Sequence, residues 1–252
     1  MTEYNWKHFK RAREQFRKIT EELSQSLPML GAIQQQFVNS RSDSKNSVYK
    51  VDTPVVYNTA LDDVSIDDEI KLILVADNPG RREQAAENRR YLVGPSGKIA
   101  NKFFCDNPVL GIDYRKNVII LNKTPIHSPR TAELRQLCLL QAEKGINSIT
   151  AALEESQKTM AALLLNFHEA LACPVWITGY SEMRKGGIFE SYTESLKELY
   201  ADKKEMYKQI SIYRHFSMNQ FTIDLKQQIT SDETVIKCLK RIGSSYRQRI
   251  LG

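Results

Sequence analysis

Polar and apolar positions along this chain switch repeatedly between two periods. Residues 70–76, 117–121, 174–178 and 209–214 are short, largely apolar runs that read as buried strands. Between and beyond them, apolar side chains recur at helical spacing over 96–105, 131–143, 151–171 and 191–207, and again towards the C-terminus. Residues 3–27 carry Trp6, Phe9, Phe16, Ile19, Leu23 and Leu27 at the same spacing. Strand and helix in alternation predict an α/β fold: a central four-stranded parallel sheet flanked by helices, preceded by an N-terminal helical segment. Residues 39–47 are polar and turn-like, and predict a mobile surface loop. The division expected is therefore an N-terminal helix and loop over 1–48, packed on a main α/β domain over 49–252. The sequence shows no internal repeat and no low-complexity segment.

Composition narrows the class only slightly. At 252 residues, 41% hydrophobic and 26% charged, the chain can bury one full core. Its apolar runs are too short to span a bilayer, and Met1–Lys7 lacks the apolar core of a signal peptide. A cytoplasmic monomer with no membrane contact is expected. The net charge of +6 favours a polyanionic partner without identifying one. Lys7, Lys10, Arg11, Arg13, Arg17 and Lys18 along the first helix form either a solvated face or one that touches DNA backbone, and solvated faces are commoner. Cys105, Cys138, Cys173 and Cys238 are widely spaced with no C-x-x-C pair. That predicts buried small hydrophobes rather than a disulfide, metal site or iron–sulfur cluster, and no cofactor.

The ends of three apolar runs carry the candidate chemistry. One run leads into Asp77-Asn78-Pro79-Gly80, one into Asn122, and one into His215-Phe216-Ser217. In open parallel sheets, sites form beyond the carboxyl ends of the strands. If these runs are neighbouring parallel strands, Asn78, Asn122 and His215 share one mouth. Pro79 and Gly80 favour a sharp turn that exposes the side chains before them. Eleven residues beyond Gly80, Tyr91-Leu92-Val93-Gly94-Pro95-Ser96-Gly97-Lys98 opens a helix, whose free N–H groups suit an anion. It is not a phosphate-binding loop of the Walker type, since Leu92 and Ile99 occupy positions that need Gly and Ser or Thr. His127 fits either a phosphate or substrate contact or a loop position without a role. Tyr180 follows a fourth strand on the same sheet edge, and Arg184 and Lys185 suit either DNA backbone or plain solvation. His8 and His168 lie in helical segments and read as structural.

Taken together and in order, Ala76-Asp77-Asn78-Pro79-Gly80, Leu92-Val93-Gly94-Pro95-Ser96-Gly97, Leu121-Asn122 and His215-Phe216-Ser217 resemble the motifs of the uracil-DNA glycosylase superfamily. The match covers roughly residues 65–230 and is nearest to the single-strand-selective and G-x-x-P-G branches, without an iron–sulfur cluster. The resemblance implies a glycosylase-like three-layer sandwich and hydrolysis of the bond between a damaged base, uracil first, and deoxyribose in base excision repair. It implies that Asn78 positions the attacking water and that Asp77, where the iron–sulfur branch has glutamate, serves as base or charge stabiliser. Asn122 would read the base edge, and His215 would stabilise negative charge on the departing base. Tyr91 and Leu92 fall where relatives stack on uracil. Gly94, Pro95, Ser96 and Lys98 would hold DNA phosphate, and Ser217 and Met218 fall where relatives push into the duplex. Leu92, Ala76 and Phe216 depart from the family pattern, which has phenylalanine, glycine and proline there.

Elementary chemistry agrees with these roles. Breaking an N-glycosidic bond builds positive charge on the sugar and negative charge on the base, and one donor aimed at the base oxygen can contribute roughly 3–4 kcal/mol. A side-chain amide offers both donor and acceptor to an imide edge. The base must first leave the stack, and Met218 is an apolar wedge for the gap. The alternative from a different class is a nucleic-acid-binding protein that keeps the fold without the activity, supported by Leu92 and Phe216.

Overall fold

The computed structural model describes residues 1–40, 48–142 and 148–252. The expected loop over 39–47 lies outside the described residues from 41 onward. Its first two residues end a helix. In chain order the elements are α1 (Glu3–Ser26), α2 (Leu30–Asn39), β1 (Leu72–Ala76), α3 (Pro95–Asp106), β2 (Val118–Asn122), α4 (Thr131–Ala142), α5 (Ser148–Leu171), β3 (Val175–Thr178), α6 (Glu190–Tyr200), α7 (Lys204–Lys208), β4 (Ile210–Tyr213), α8 (Gln220–Gln228) and α9 (Val235–Leu251).

The four strands form one all-parallel sheet in the order β2-β1-β3-β4, with helices packed around it. β1 and β3 are buried along their whole length, which is why they read as unbroken apolar runs rather than alternating ones. The register pairs Ala76 with Asn122 and Thr178 with Tyr213, so all four strands end together. β3 lies between β1 and β4. The three chemistry-bearing runs therefore share a sheet edge, but they are not all immediate neighbours as the simplest expectation had it.

Phe9 and Phe16 of α1 are fully buried, and Phe9 meets Phe167 of α5 edge-on at 5.4 Å between ring centres. The first helix thus belongs to the same hydrophobic core as the sheet. A second aromatic cluster fills the space between α3, β3 and α8. There Phe103, Trp176, Phe216 and Phe221 are buried, with Phe216 stacked on Phe221 at 4.4 Å. Phe216, at a position where proline was the family expectation, anchors the His215 segment in this cluster.

Three expectations are corrected. Residues 191–207 are not one helix, because Lys203 leaves helical geometry (φ −108°, ψ 54°) and separates α6 from α7. Helix α2 had not been anticipated. Cysteine burial holds for Cys173 and Cys238, whereas Cys105 is exposed and Cys138 only partly covered; all four are free thiols. Among the described residues no helix is long and apolar enough to cross a membrane, and no cluster of His, Cys, Asp and Glu could hold a metal ion.

The first turn of α3 depends on glycine at position 97. A methyl group there would run into the backbone carbonyl of Leu92, which itself sits in the left-handed region at φ 50°. Gly97→Ala should therefore lower stability by about 2–3 kcal/mol in urea denaturation, by overpacking against backbone that cannot yield. Helix propensity alone would give a gain of about 1 kcal/mol, and that result would contradict the packing account.

Candidate active site at the carboxyl ends of the strands

Asp77 and Lys123 meet in the interior just beyond the ends of β1 and β2. The Lys123 side chain is fully buried, and its Nζ lies 2.5 Å from Asp77 Oδ1 and 2.5 Å from the carbonyl oxygen of Thr178. The Phe189 ring lies beneath it at 4.9 Å. Asp77 Oδ2 accepts a hydrogen bond from Thr131 Oγ1 at 3.1 Å. The carboxylate also packs directly against Gly179, whose φ of 89° and missing side chain make room for it. Burial pushes the Asp77 carboxyl up, but Lys123, His215 and the bonds from Lys123 and Thr131 outweigh it and hold the group below the usual carboxylate range. Burial pulls the Lys123 ammonium down, and Asp77 resists. With both oxygens committed, Asp77 is a charge partner rather than a base free to activate water.

Asn78 is clamped by the segment that follows β2. Its Nδ2 donates to the carbonyl and hydroxyl oxygens of Ser128 at 3.1 and 3.0 Å, and its Oδ1 lies 3.2 Å from Thr131 Oγ1, whose one proton is shared with Asp77 Oδ2. Donors to Ser128 fix which end of the amide is oxygen, and Oδ1 keeps a second lone pair that a water proton can use.

Asn122, at the last position of β2, is 1% exposed, and neither its Oδ1 nor its Nδ2 has a hydrogen-bond partner among the described residues. It is alone there in leaving both ends of a side-chain amide unpaired. Each orphaned buried polar atom costs on the order of 1–3 kcal/mol, a cost that a water or a ligand offering both a donor and an acceptor relieves.

His215 follows β4 and is partly exposed. Its Nδ1 lies 2.9 Å from the backbone nitrogen of Ser217. A backbone N–H can only donate, so Nδ1 carries the lone pair, and the proton of the neutral ring sits on Nε2. Burial lowers the basicity of the ring, Asp77 raises it and Lys123 lowers it again, with a net shift below the ordinary histidine value. The ring is neutral at pH 7 and presents Nε2–H as a fixed donor. It lines a cleft of about 310 Å³ together with Tyr180, Ser181, Arg184, Arg214 and Gln220.

The other expected positions divide. Gly94, which starts α3 without a side-chain cap, is buried where a phosphate contact was expected; Pro95 and Lys98 are exposed and Ser96 is partly so, which leaves these three within reach of phosphate. Met218 is 83% exposed in the left-handed region (φ 51°), at the tip of the turn that begins with the partly buried Ser217. Tyr91, by contrast, is buried, and its hydroxyl donates to the Val56 carbonyl at 2.5 Å. It is a core residue where a base-binding ring was expected. Leu92 is likewise buried and works through its backbone, its N–H bonding Glu83 and its carbonyl packing on Gly97.

His127 is structural. Its Nδ1 donates to the Pro79 carbonyl at 2.8 Å, its Nε2 accepts from Tyr49 at 2.8 Å, and burial pulls its pKa down to about 4. His168 is enclosed between Tyr200 and Gln209. Lys123, Thr131, Ser128, Glu83 and Arg214 had not been singled out from the sequence. Lys123 and Arg214 left a signal, each as a charged residue directly after a buried run. No protein-family model matches the chain, and no curated protein does.

Two predictions follow from these buried charges. Lys123→Met should cost about 3–5 kcal/mol at pH 7 by stranding the Asp77 carboxylate, and adding Asp77→Asn should recover much of that loss. A Lys123→Met stability within 1 kcal/mol of the parent, roughly the size of an exposed pair, would contradict the pairing. Glu83 is buried, accepts N–H bonds from Gly80 and Leu92, and is pushed up by burial to about 7 from an ordinary 4.5. Its contribution to stability is full below the lower value and is lost as pH rises through the upper one. Glu83→Gln should therefore gain on the parent by roughly 3 kcal/mol between pH 4 and pH 8 in denaturant titrations. A difference independent of pH would contradict it.

Proposed function

We propose that the protein is a monofunctional DNA glycosylase of the uracil-DNA glycosylase type, hydrolysing the bond between a damaged base and deoxyribose, with uracil the first substrate. The observation that carries this reading is Asn122: a buried amide with donor and acceptor both unpaired, at the sheet edge shared with a neutral histidine of fixed tautomer. An imide edge satisfies both atoms of the amide at once.

In this mechanism Met218 enters the gap left by the extruded nucleotide, and the start of α3 with Ser96 and Lys98 holds phosphate. Asn122 hydrogen-bonds the base edge. The glycosidic bond breaks with its electron pair going to the base, and the negative charge on the base oxygen meets His215 Nε2–H. Asp77, ionised, lowers the energy of the sugar cation through space. Asn78 Oδ1 accepts a proton of the incoming water in a hydrogen bond and points its oxygen at the sugar carbon. The water proton leaves with the base or to solvent, so no covalent enzyme intermediate forms.

The test is base release from single- and double-stranded oligonucleotides carrying one uracil, hypoxanthine or xanthine, read as strand scission after alkali. The parent should release one of these bases, with His215→Ala and Asn122→Ala each slowing release at least about 100-fold. Release unchanged in both variants would refute the assignment, and DNA binding without release of any base would favour a binding protein that keeps the fold.

A further inference from the structure

The cleft that His215 lines does not have Asn122 among its walls. Its walls are the turn after β3, with Tyr180, Ser181 and Arg184, and the start of the segment after β4, with Arg214, His215 and Gln220. Tyr180 is backed by Tyr246 of α9, the two rings stacked at 4.4 Å and 29°. Tyr246 is itself fixed by a hydrogen bond to Asp224 at 3.0 Å. The Tyr180 ring is therefore a supported platform rather than a loose surface side chain. The Arg184 guanidinium lies over the ring, 5.8 Å from its centre.

The charges here are unevenly matched. Arg214 is half-exposed and shares Asp224 at 3.4 Å. Arg184 is exposed and makes no ion pair among the described residues; its Nε reaches only the Ser181 carbonyl, at 3.4 Å. A second depression, lined by Arg135, Arg184 and Lys185, adjoins the cleft through Ser181 and Arg184. Glu182 is its one carboxylate, and it lies 3.7 Å from Arg135. A backed aromatic ring with one guanidinium over it and a second lining the same cleft, opening onto a basic groove, matches a nucleotide: the exposed Arg184 side chain yields the ring face to the base and turns its planar fork to the phosphodiester, as Arg214 does.

We propose that this cleft is a subsite for the nucleotide adjoining the extruded one on a single strand, its base against Tyr180 and its phosphodiester between Arg184 and Arg214. The inference rests on the glycosylase reading for its orientation. Single-stranded DNA is the ligand because a base in a duplex has both faces covered by its neighbours and cannot also lie on Tyr180. The groove of Arg135 and Lys185 then carries the next phosphate of the same strand.

Fluorescence anisotropy tests this with a labelled oligonucleotide containing one tetrahydrofuran abasic analogue, which offers no base to cleave. Tyr180→Ala should weaken single-strand binding about 5- to 100-fold and duplex binding less than about twofold, while Tyr180→Phe binds like the parent. Arg184→Gln should weaken single-strand binding and flatten its dependence on log salt by about 0.7. Single-strand binding unaltered in Tyr180→Ala, equal losses on single strand and duplex, or a parent that binds no single strand would each overturn the subsite. Base release separates this from the parent reading. Release by an enzyme indifferent to Tyr180 removes the subsite alone. Tyr180-dependent binding without release from any lesion removes the glycosylase assignment alone.

Discussion

A buried ion pair holds the working edge of this sheet together. Lys123 lies where the ends of β1, β2 and β3 converge, and its ammonium ties the Asp77 carboxylate to the carbonyl of Thr178. Two charges removed from water are costly unless each is fully engaged. Here the carboxylate is completed by Thr131 and the ammonium by Thr178 and the face of Phe189. Gly179 has to be glycine because the carboxylate occupies the place of its side chain. The pair sets the field at His215 as well, since Asp77 and Lys123 act on that ring with opposite sign. Burial outweighs both and keeps the imidazole neutral in a charged neighbourhood.

The turns around the pair are braced from several directions. Pro79 is held through its carbonyl by His127 and by the N–H of Ser128, and Gly80 through its N–H by Glu83. Glu83 also bonds the N–H of Leu92, whose left-handed backbone is a conformation that a branched residue reaches only at a cost. One buried carboxyl thus joins the turn after β1 to the loop that opens α3. The N-terminal region joins in through Tyr49 on His127 and Gln34 on the His127 carbonyl at 2.8 Å. Such bracing on rigid elements favours a site whose polar groups are held in place before any ligand arrives.

The parts of this structure written as local pattern were legible in the sequence. Four buried runs announced four strands, and their polar ends announced which residues the sheet brings to one end. Long-range pairing was not legible. Lys123 looks like the polar end of a strand, because its partner lies 46 residues earlier in the chain. Helix α2 was hidden because its buried stripe is Leu30, Gln34 and Val38, with a glutamine at its centre. The break after Tyr200 carries neither proline nor glycine, so periodicity ran through it. Tyr91 shows a different limit: a motif position places a ring near a site, and only its hydroxyl bond to Val56 reveals that it faces the core. Tyr180 and Arg214 gained weight only when β3 was seen to lie beside β4.

The proposed chemistry depends on a histidine kept neutral, with its proton on Nε2, beside an ion pair. Nitrogen-15 spectroscopy of the imidazole ring reports both properties directly. At pH 7 the His215 signals should show an unprotonated Nδ1 and a protonated Nε2. An imidazolium at that pH, or a proton on Nδ1, would contradict it.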